Sequence, residues 1–137
     1  MLQKLLITVS VMLFLVVIPA LELNSSHVFN PEWPPHARFH NMWQIITNCC
    51  LGLLCLWLVW VKSNTLLSGM LVLCIMGGVL AAQTFADFYG GTIVSGNIAR
   101  AEFGLETATI GALFAVIATC AAIIMHLKEA SIQSQKS

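Results

Sequence analysis

The sequence has few charged residues. Only 9% of its 137 residues are charged, six basic and six acidic, whereas 58% are hydrophobic. So little charge excludes a soluble globular domain, and the high apolar content excludes a disordered chain. Because the charges balance and no basic cluster occurs, the composition disfavours a nucleic-acid partner. The composition predicts that apolar side chains face the lipid bilayer.

Cysteine pairs of the CxxC type are also lacking. The five cysteines lie within apolar runs, so we expect small hydrophobic side chains in helices rather than a thiol metal site or a disulfide scaffold. Redox chemistry at Cys49 and Cys50 is a remote alternative, because adjacent cysteines form a disulfide only with strained geometry. The five are Cys49, Cys50, Cys55, Cys74 and Cys120.

Four apolar runs have about the 20 residues that a helix needs to cross a membrane. They predict an all-α protein, a four-transmembrane-helix up-and-down bundle that forms one integral membrane domain over 1–137. In the first run, Pro19 is expected to kink or end the last turn, and a neighbouring helix is expected to satisfy the carbonyl that it frees. The expected helices are 5–23, 42–61, 65–86 and 105–127, with outer loops at 24–41 and 87–104.

Basic residues are unevenly distributed about these runs. Lysines dominate one side of the membrane and arginines the other, which predicts that both termini are cytoplasmic. The residues are Lys4, Lys62, Lys128 and Lys136 against Arg38 and Arg100.

Prolines at positions 31, 34 and 35 precede the second helix. Proline suits the first helical turn, so this helix is expected to start at Pro34 or Pro35. Helical periodicity then places His36, His40 and Gln44 on one face, with Thr47 and Asn48 one turn further. The pattern predicts a polar stripe that enters the membrane.

An up-and-down order brings four polar helix ends to one leaflet. Because ionisable groups are costly in the hydrocarbon region, this accumulation predicts a shared polar recess at the mouth of the bundle. Its members are Glu22 and Asn24; His36, His40 and Gln44; Gln83 and Asp87; and Glu102, Glu106 and Thr109.

Histidines and carboxylates in such a recess permit acid–base chemistry. His40 with Asp87 or Glu106 is the first expected pair, and His36 completes the catalytic set. The alternative is a network that only fixes helix packing. Trp33, Arg38, Trp43, Gln44, Asn48 and Gln83 are the residues expected to bind a ligand.

The same residues suggest a divalent metal ion as a possible cofactor. His36 and His40 lie four residues apart, and bundles that bind metals combine histidines with carboxylates from facing helices. Glu22 and Glu102 are the expected further ligands. The alternative is that both histidines bind water, lipid headgroups or neighbouring carboxylates.

Glycines mark expected close contacts between helices and one turn. Gly69, Gly77–Gly78 and Gly111 are expected to allow close helix approach. Tyr89-Gly90-Gly91 is expected to close the third helix, and 92–104 to form a short lid.

The segment from His27 to His40 reads His-x-x-Asn-Pro-x-Trp-Pro-Pro-His-Ala-Arg-Phe-His. It resembles a signature of small four-helix integral membrane proteins of uncharacterised function. In its size and in the glycine-rich end of its third helix, the chain is similar to DoxX-like four-helix membrane proteins. The resemblance implies shared ancestry and no particular activity.

Two functions fit these observations. The first is a membrane-embedded enzyme that acts on a lipophilic small molecule by acid–base or metal-assisted chemistry. The second is a non-enzymatic subunit that binds lipid, a second copy of the chain or a partner membrane protein.

Overall fold

The structure, a computed structural model, describes residues 1–95, 97 and 105–135. It is 78% helical, and the described residues include no strand. Four helices are long and apolar enough to cross a membrane, which confirms the predicted four-helix fold. They are α1 (Leu2–Glu22), α2 (Pro35–Trp60), α3 (Thr65–Thr84) and α4 (Thr107–Ser134).

The helices form a closed up-and-down bundle. Helix α2 packs against α1 and α3, and α4 packs against α3 and α1, while α1 also contacts α3 across the bundle. The end where α1 and α3 finish and α2 and α4 begin is called the mouth end. The opposite end, where α1 begins and α4 finishes, is the tail end.

The interior is small and tightly filled. Phe14, Ile7 and Met76 are its largest buried side chains, and alanines of α4 pack against them. In an apolar 18-residue stretch of each span, only 22% to 33% of the residues are buried inside the protein. The remaining apolar side chains point outward, where only lipid can cover so large a hydrophobic surface. The protein is therefore an integral membrane protein.

Helix α1 is irregular just before Pro19 and continues beyond it to Glu22. The helix widens into a π-helical turn over Leu13–Val17, directly before Pro19. Because Pro19 has no N–H, the carbonyl of Leu15 loses its α-helical donor. The thiol of Cys49 in α2 donates to that carbonyl at 3.7 Å, so a neighbouring helix satisfies it.

Close helix approach occurs at Gly69. A Cβ there would lie 2.9 Å from Cδ1 of Ile123 and 3.2 Å from Cδ1 of Ile7. The same prediction is wrong for Gly77, Gly78 and Gly111, where an added Cβ would have no heavy atom within 4 Å apart from the backbone of its own helix. A glycine permits close approach but does not cause it, and larger buried side chains decide which side of a helix meets its neighbour.

Helix α3 ends earlier than expected. It stops at Thr84, and a separate turn of helix follows over Ala86–Tyr89. Gly90 ends that turn in the left-handed conformation, with φ of 67°, and Gly91 N–H donates to the carbonyl of Ala86 at 2.9 Å. The expected glycine turn is therefore present, but it closes this short helix rather than α3.

Two other boundaries also differ from the apolar runs. Helix α2 begins at Pro35, as its prolines predict, so its first turns precede the apolar run. Helix α4 begins at Thr107, directly after an extended Glu106, and continues to Ser134.

Candidate functional site

A tight turn follows α1 at the mouth end. The side chain of Asn24 accepts a hydrogen bond from the backbone N–H of Ser26 at 2.8 Å and donates to the carbonyl of Leu21 at 2.6 Å. Such side-chain bonds reverse the chain within a few residues. The turn brings His27 back to Glu22, where its Nε2 lies 3.7 Å from Oε1.

The pair of Glu22 and His27 is held from three sides. Asn41 of α2 donates through Nδ2 to Oε2 of Glu22 at 3.1 Å. Ser26 Oγ lies 2.7 Å from Nδ1 of His27, and the Trp33 ring meets the imidazole edge-on at 5.7 Å. The cluster therefore joins α1, its following loop and α2.

Sequence reasoning gave this histidine less weight than His36 and His40. His27 lies in a loop, where helical spacing gives no neighbours, so its meeting with Glu22 was not expected. The Asn24-x-Ser26 pattern is typical of such a side-chain turn and is the signal that could have found it. Trp33, an expected ligand-binding residue, packs against this imidazole.

His36 and His40 form a pair of their own. Their Nε2 atoms lie 2.9 Å apart, and the two rings meet edge-on with centroids separated by 4.4 Å. At this distance the two Nε2 atoms share one hydrogen bond, and the tautomers of the two rings decide which one donates. Phe39 stacks on His36, and Trp43 lies at a tilt against His40, which fixes the direction of both rings.

Both histidines point away from the interior of the bundle. Exposed positions recur along α2 at spacings of four and three residues, which places them on one side of the helix. We call this set the outer face of α2: His36, His40, Trp43, Gln44, Thr47 and Cys50. Its residues from His40 to Thr47, with Asn48, line a shallow open depression.

The opposite side of α2 packs against the bundle. Ile45, Gly52, Cys55 and Val59 are buried there, and Asn41 reaches Glu22 from the same side. Helical spacing had placed the polar residues together correctly. It had not shown that their common face is turned outward.

Part of the outer face lies at bilayer depth. The 26 residues of α2 span about 39 Å, against a hydrocarbon thickness of about 30 Å. Trp57 and Trp60 mark the tail-end interface. Nζ of Lys62 lies 5.0 Å from the ring centroid of Trp57, and Nζ of Lys4 lies 5.6 Å from the ring centroid of Trp60. A helix crosses the hydrocarbon region in about 20 residues, and counting that number back from Trp60 reaches His40. His40 therefore lies near the mouth-end interface.

Gln44 and Thr47 lie one and two turns deeper, at about 6 Å and 10 Å below His40. Both side chains are exposed, and neither makes a hydrogen bond within the described residues. A polar group without a partner in hydrocarbon is costly. This face is therefore unsuited to contact with lipid alone.

The expected acidic residues do not join these histidines among the described contacts. Asp87 belongs to the short helix after the break at Phe85, so it no longer follows Gln83 by one turn. It is exposed and forms no hydrogen bond or ion pair with described residues. Glu106 directly precedes α4, and Glu102 lies outside the described residues. Gln83 instead accepts a hydrogen bond from Thr109 Oγ1 at 3.0 Å.

The expected metal set is not assembled either. Within residues 1–95, 97 and 105–135, no three His, Cys, Asp or Glu side chains lie close enough to hold one ion. Glu22 contacts His27 and Asn41 rather than His36 and His40. Of the expected metal ligands that the structure describes, only His36 and His40 therefore lie close enough together to share an ion.

Arg38 and Asn48 occupy the flanks of α2. Arg38 is half-buried, and its Nε has no hydrogen-bond partner among the described residues. No ion pair joins it to Glu32, the nearby carboxylate in the preceding loop. Asn48 is half-buried at the edge of the depression beside His40.

Comparison of the chain with family models, with curated proteins and with solved structures finds no match in any of the three.

Proposed function

We propose that the protein is a non-enzymatic assembly subunit that binds a membrane-embedded protein partner through the outer face of α2. One observation carries this proposal: Gln44 and Thr47 present polar groups at bilayer depth, outside their own bundle and without hydrogen bonds in the described chain. Transfer of an amide or hydroxyl without a hydrogen-bond partner into hydrocarbon is unfavourable, so such groups are more stable against protein or water than against lipid. A partner helix would supply the missing hydrogen bonds.

The composition of the face supports close packing. Thr47 and Cys50 are smaller than Trp43 and Leu54, which flank them along α2. Small residues let two helix backbones approach, and each polar side chain then contributes about 0.6 to 2 kcal/mol through hydrogen bonds across the interface. Both features favour protein rather than lipid as the covering layer.

The lysines favour one orientation of this subunit. Lys4, Lys62 and Lys128 lie at the tail end, against Arg38 at the mouth end, among the described basic residues. By the positive-inside rule, both termini are cytoplasmic, and the outer face of α2 then reaches the non-cytoplasmic leaflet.

Residues 27–40, which resemble a segment of other small four-helix membrane proteins, overlap the proposed docking face on α2. We infer that the chain shares ancestry with the small four-helix membrane proteins that carry this segment. In this chain the segment supplies His27 of the mouth-end cluster and both histidines of the outer face.

The test replaces the two deep polar groups by leucine. We expect Gln44→Leu/Thr47→Leu to fold and insert normally but to lose its assembled state, measured as particle size after extraction of native membranes in mild detergent. The matched control is Cys74→Leu/Cys120→Leu, which alters exposed positions on α3 and α4. Assembly that survives the α2 change, or that both variants lose equally, contradicts the proposal.

A second candidate function is nucleophilic chemistry on a lipophilic small molecule, with His27 as the base for Ser26, and the cluster of Glu22, His27 and Ser26 favours it. Ser26 Oγ lies 2.6 Å from Oδ1 of Asn24 and 2.7 Å from Nδ1 of His27, so its single proton reaches the imidazole only when it leaves Asn24. A hydroxyl that gives its proton to an imidazole oriented by a carboxylate is an activated nucleophile in many enzymes. A lipophilic fluorophosphonate should then label Ser26, and His27→Ala should abolish that labelling. Absence of labelling in the unmodified protein removes this candidate.

A further inference from the structure

The histidine pair on α2 has the form of half a metal site. Its two Nε2 atoms converge to 2.9 Å on the outside of the helix. Two imidazoles that bind one Zn²⁺ tetrahedrally, at about 2.0 to 2.1 Å each, have nitrogens about 3.3 Å apart. A small rotation of either ring therefore converts the shared proton into a shared metal ion.

The pair needs further ligands for a closed site. Structural zinc sites are four-coordinate, whereas the described part of this chain brings no third His, Cys, Asp or Glu to His36 and His40. The missing half must come from outside the described residues. A two-fold axis beside α2 supplies it most simply, because it turns one histidine pair into four imidazoles.

We propose that two copies of the chain pair in parallel along the outer faces of their α2 helices, and that their four His36 and His40 side chains hold one divalent transition-metal ion. This inference rests on the proposed function, because it names a second copy as the partner. Imidazole ligands suit zinc, copper and nickel rather than magnesium or calcium.

The rest of the face fits the same pairing. Both copies have the same orientation in one membrane, so equivalent residues meet at the same depth. Gln44 and Thr47 of one copy then hydrogen-bond to Gln44 and Thr47 of the other, deeper in the membrane than the metal. The small Cys50 lies against Cys50 of the second copy. A single two-fold contact thus accounts for the histidine pair and for the unpartnered polar groups beneath it.

Zinc is the probe for the metal step. We expect purified full-length protein, stripped with a chelator and titrated with ZnCl₂ in detergent, to bind one zinc per two chains and to have the mass of a dimer. His36→Ala and His40→Ala should each lose stoichiometric zinc, while His126→Ala at the tail end and Glu102→Gln should retain it. Replacement by Co²⁺ should give the visible absorption of a tetrahedral site.

Several results overturn the metal bridge. One zinc per chain, zinc that remains in both histidine variants, or zinc that depends on Glu102 each excludes a site made of two histidine pairs. Circular dichroism of the histidine variants confirms that they are folded, which is expected because both side chains are exposed.

A second measurement separates this inference from the proposed function. In proteins that retain one cysteine each, a short thiol cross-linker should join two copies through Cys50 but not through Cys74 or Cys120. If Cys50 fails to cross-link while Gln44→Leu/Thr47→Leu still disrupts assembly, the partner is not a second copy of the chain. The proposal that a partner binds the outer face of α2 is then retained. If neither effect occurs, both proposals fall.

Discussion

Close packing at Gly69 allows a quantitative test of the fold. Gly69→Ala places a Cβ 2.9 Å from both Cγ1 and Cδ1 of Ile123, whereas Gly78→Ala meets nothing within 4 Å. Both changes raise helix propensity by about 0.5 to 1 kcal/mol, so the difference between the variants isolates the packing cost. Overpacking costs about 1 to 3 kcal/mol. We expect Gly69→Ala to be less stable than Gly78→Ala by that amount.

The assay is reversible unfolding in mixed micelles, which gives the free energy of unfolding for each variant. Adding Ile123→Ala removes the clashing atoms, so Gly69→Ala should cost less in that background than alone, and the double variant should cost less than the sum of the two single variants. Equal stabilities of the two glycine variants, or no coupling to Ile123, would refute the close approach of α3 and α4.

Three further changes should alter the free energy of unfolding in the same assay. Ser68→Ala removes the hydrogen bond that buried Ser68 Oγ donates to the carbonyl of Cys55 at 3.0 Å, and it should lower the free energy of unfolding by about 0.6 kcal/mol. Ser25→Ala in the exposed turn is its control, and equal costs of the two changes would contradict the prediction. Phe14→Ala empties a fully buried site and should cost about 3 to 5 kcal/mol, whereas a cost below about 1 kcal/mol would mean that the ring is not in the core. Asn41→Ala removes the donor to half-buried Glu22 and should cost about 1 kcal/mol, with no loss expected from Gln44→Ala on the outer face.

Hydrophobicity made most of the fold predictable. The cost of exposed backbone groups in lipid forces each apolar run into a helix, so the number and order of the helices follow from the chain. Local proline chemistry predicted two finer features: the start of α2 at Pro35, and the disturbance at Pro19 that Cys49 relieves.

The polar residues were harder to place. Periodicity shows that His36, His40 and Gln44 share a face, but it does not show which way the face points. Helix α2 also carries Asn41 and Asn48 on other sides, so its polarity does not distinguish interior from exterior. The contact of His27 with Glu22 depends on the path of a turn, and Asp87 was displaced by a helix break at Phe85. Neither follows from helical spacing.

Photo-cross-linking in native membranes tests the docking face most directly. A photoreactive amino acid is placed singly at Thr47 on α2, at Met70 on α3 or at Ile117 on α4, three exposed positions within the spans. We expect position 47 to give a protein adduct of defined mass, and positions 70 and 117 to give lipid adducts only. Lipid adducts alone at position 47, or the same protein adduct from all three helices, would contradict a partner bound to the outer face of α2.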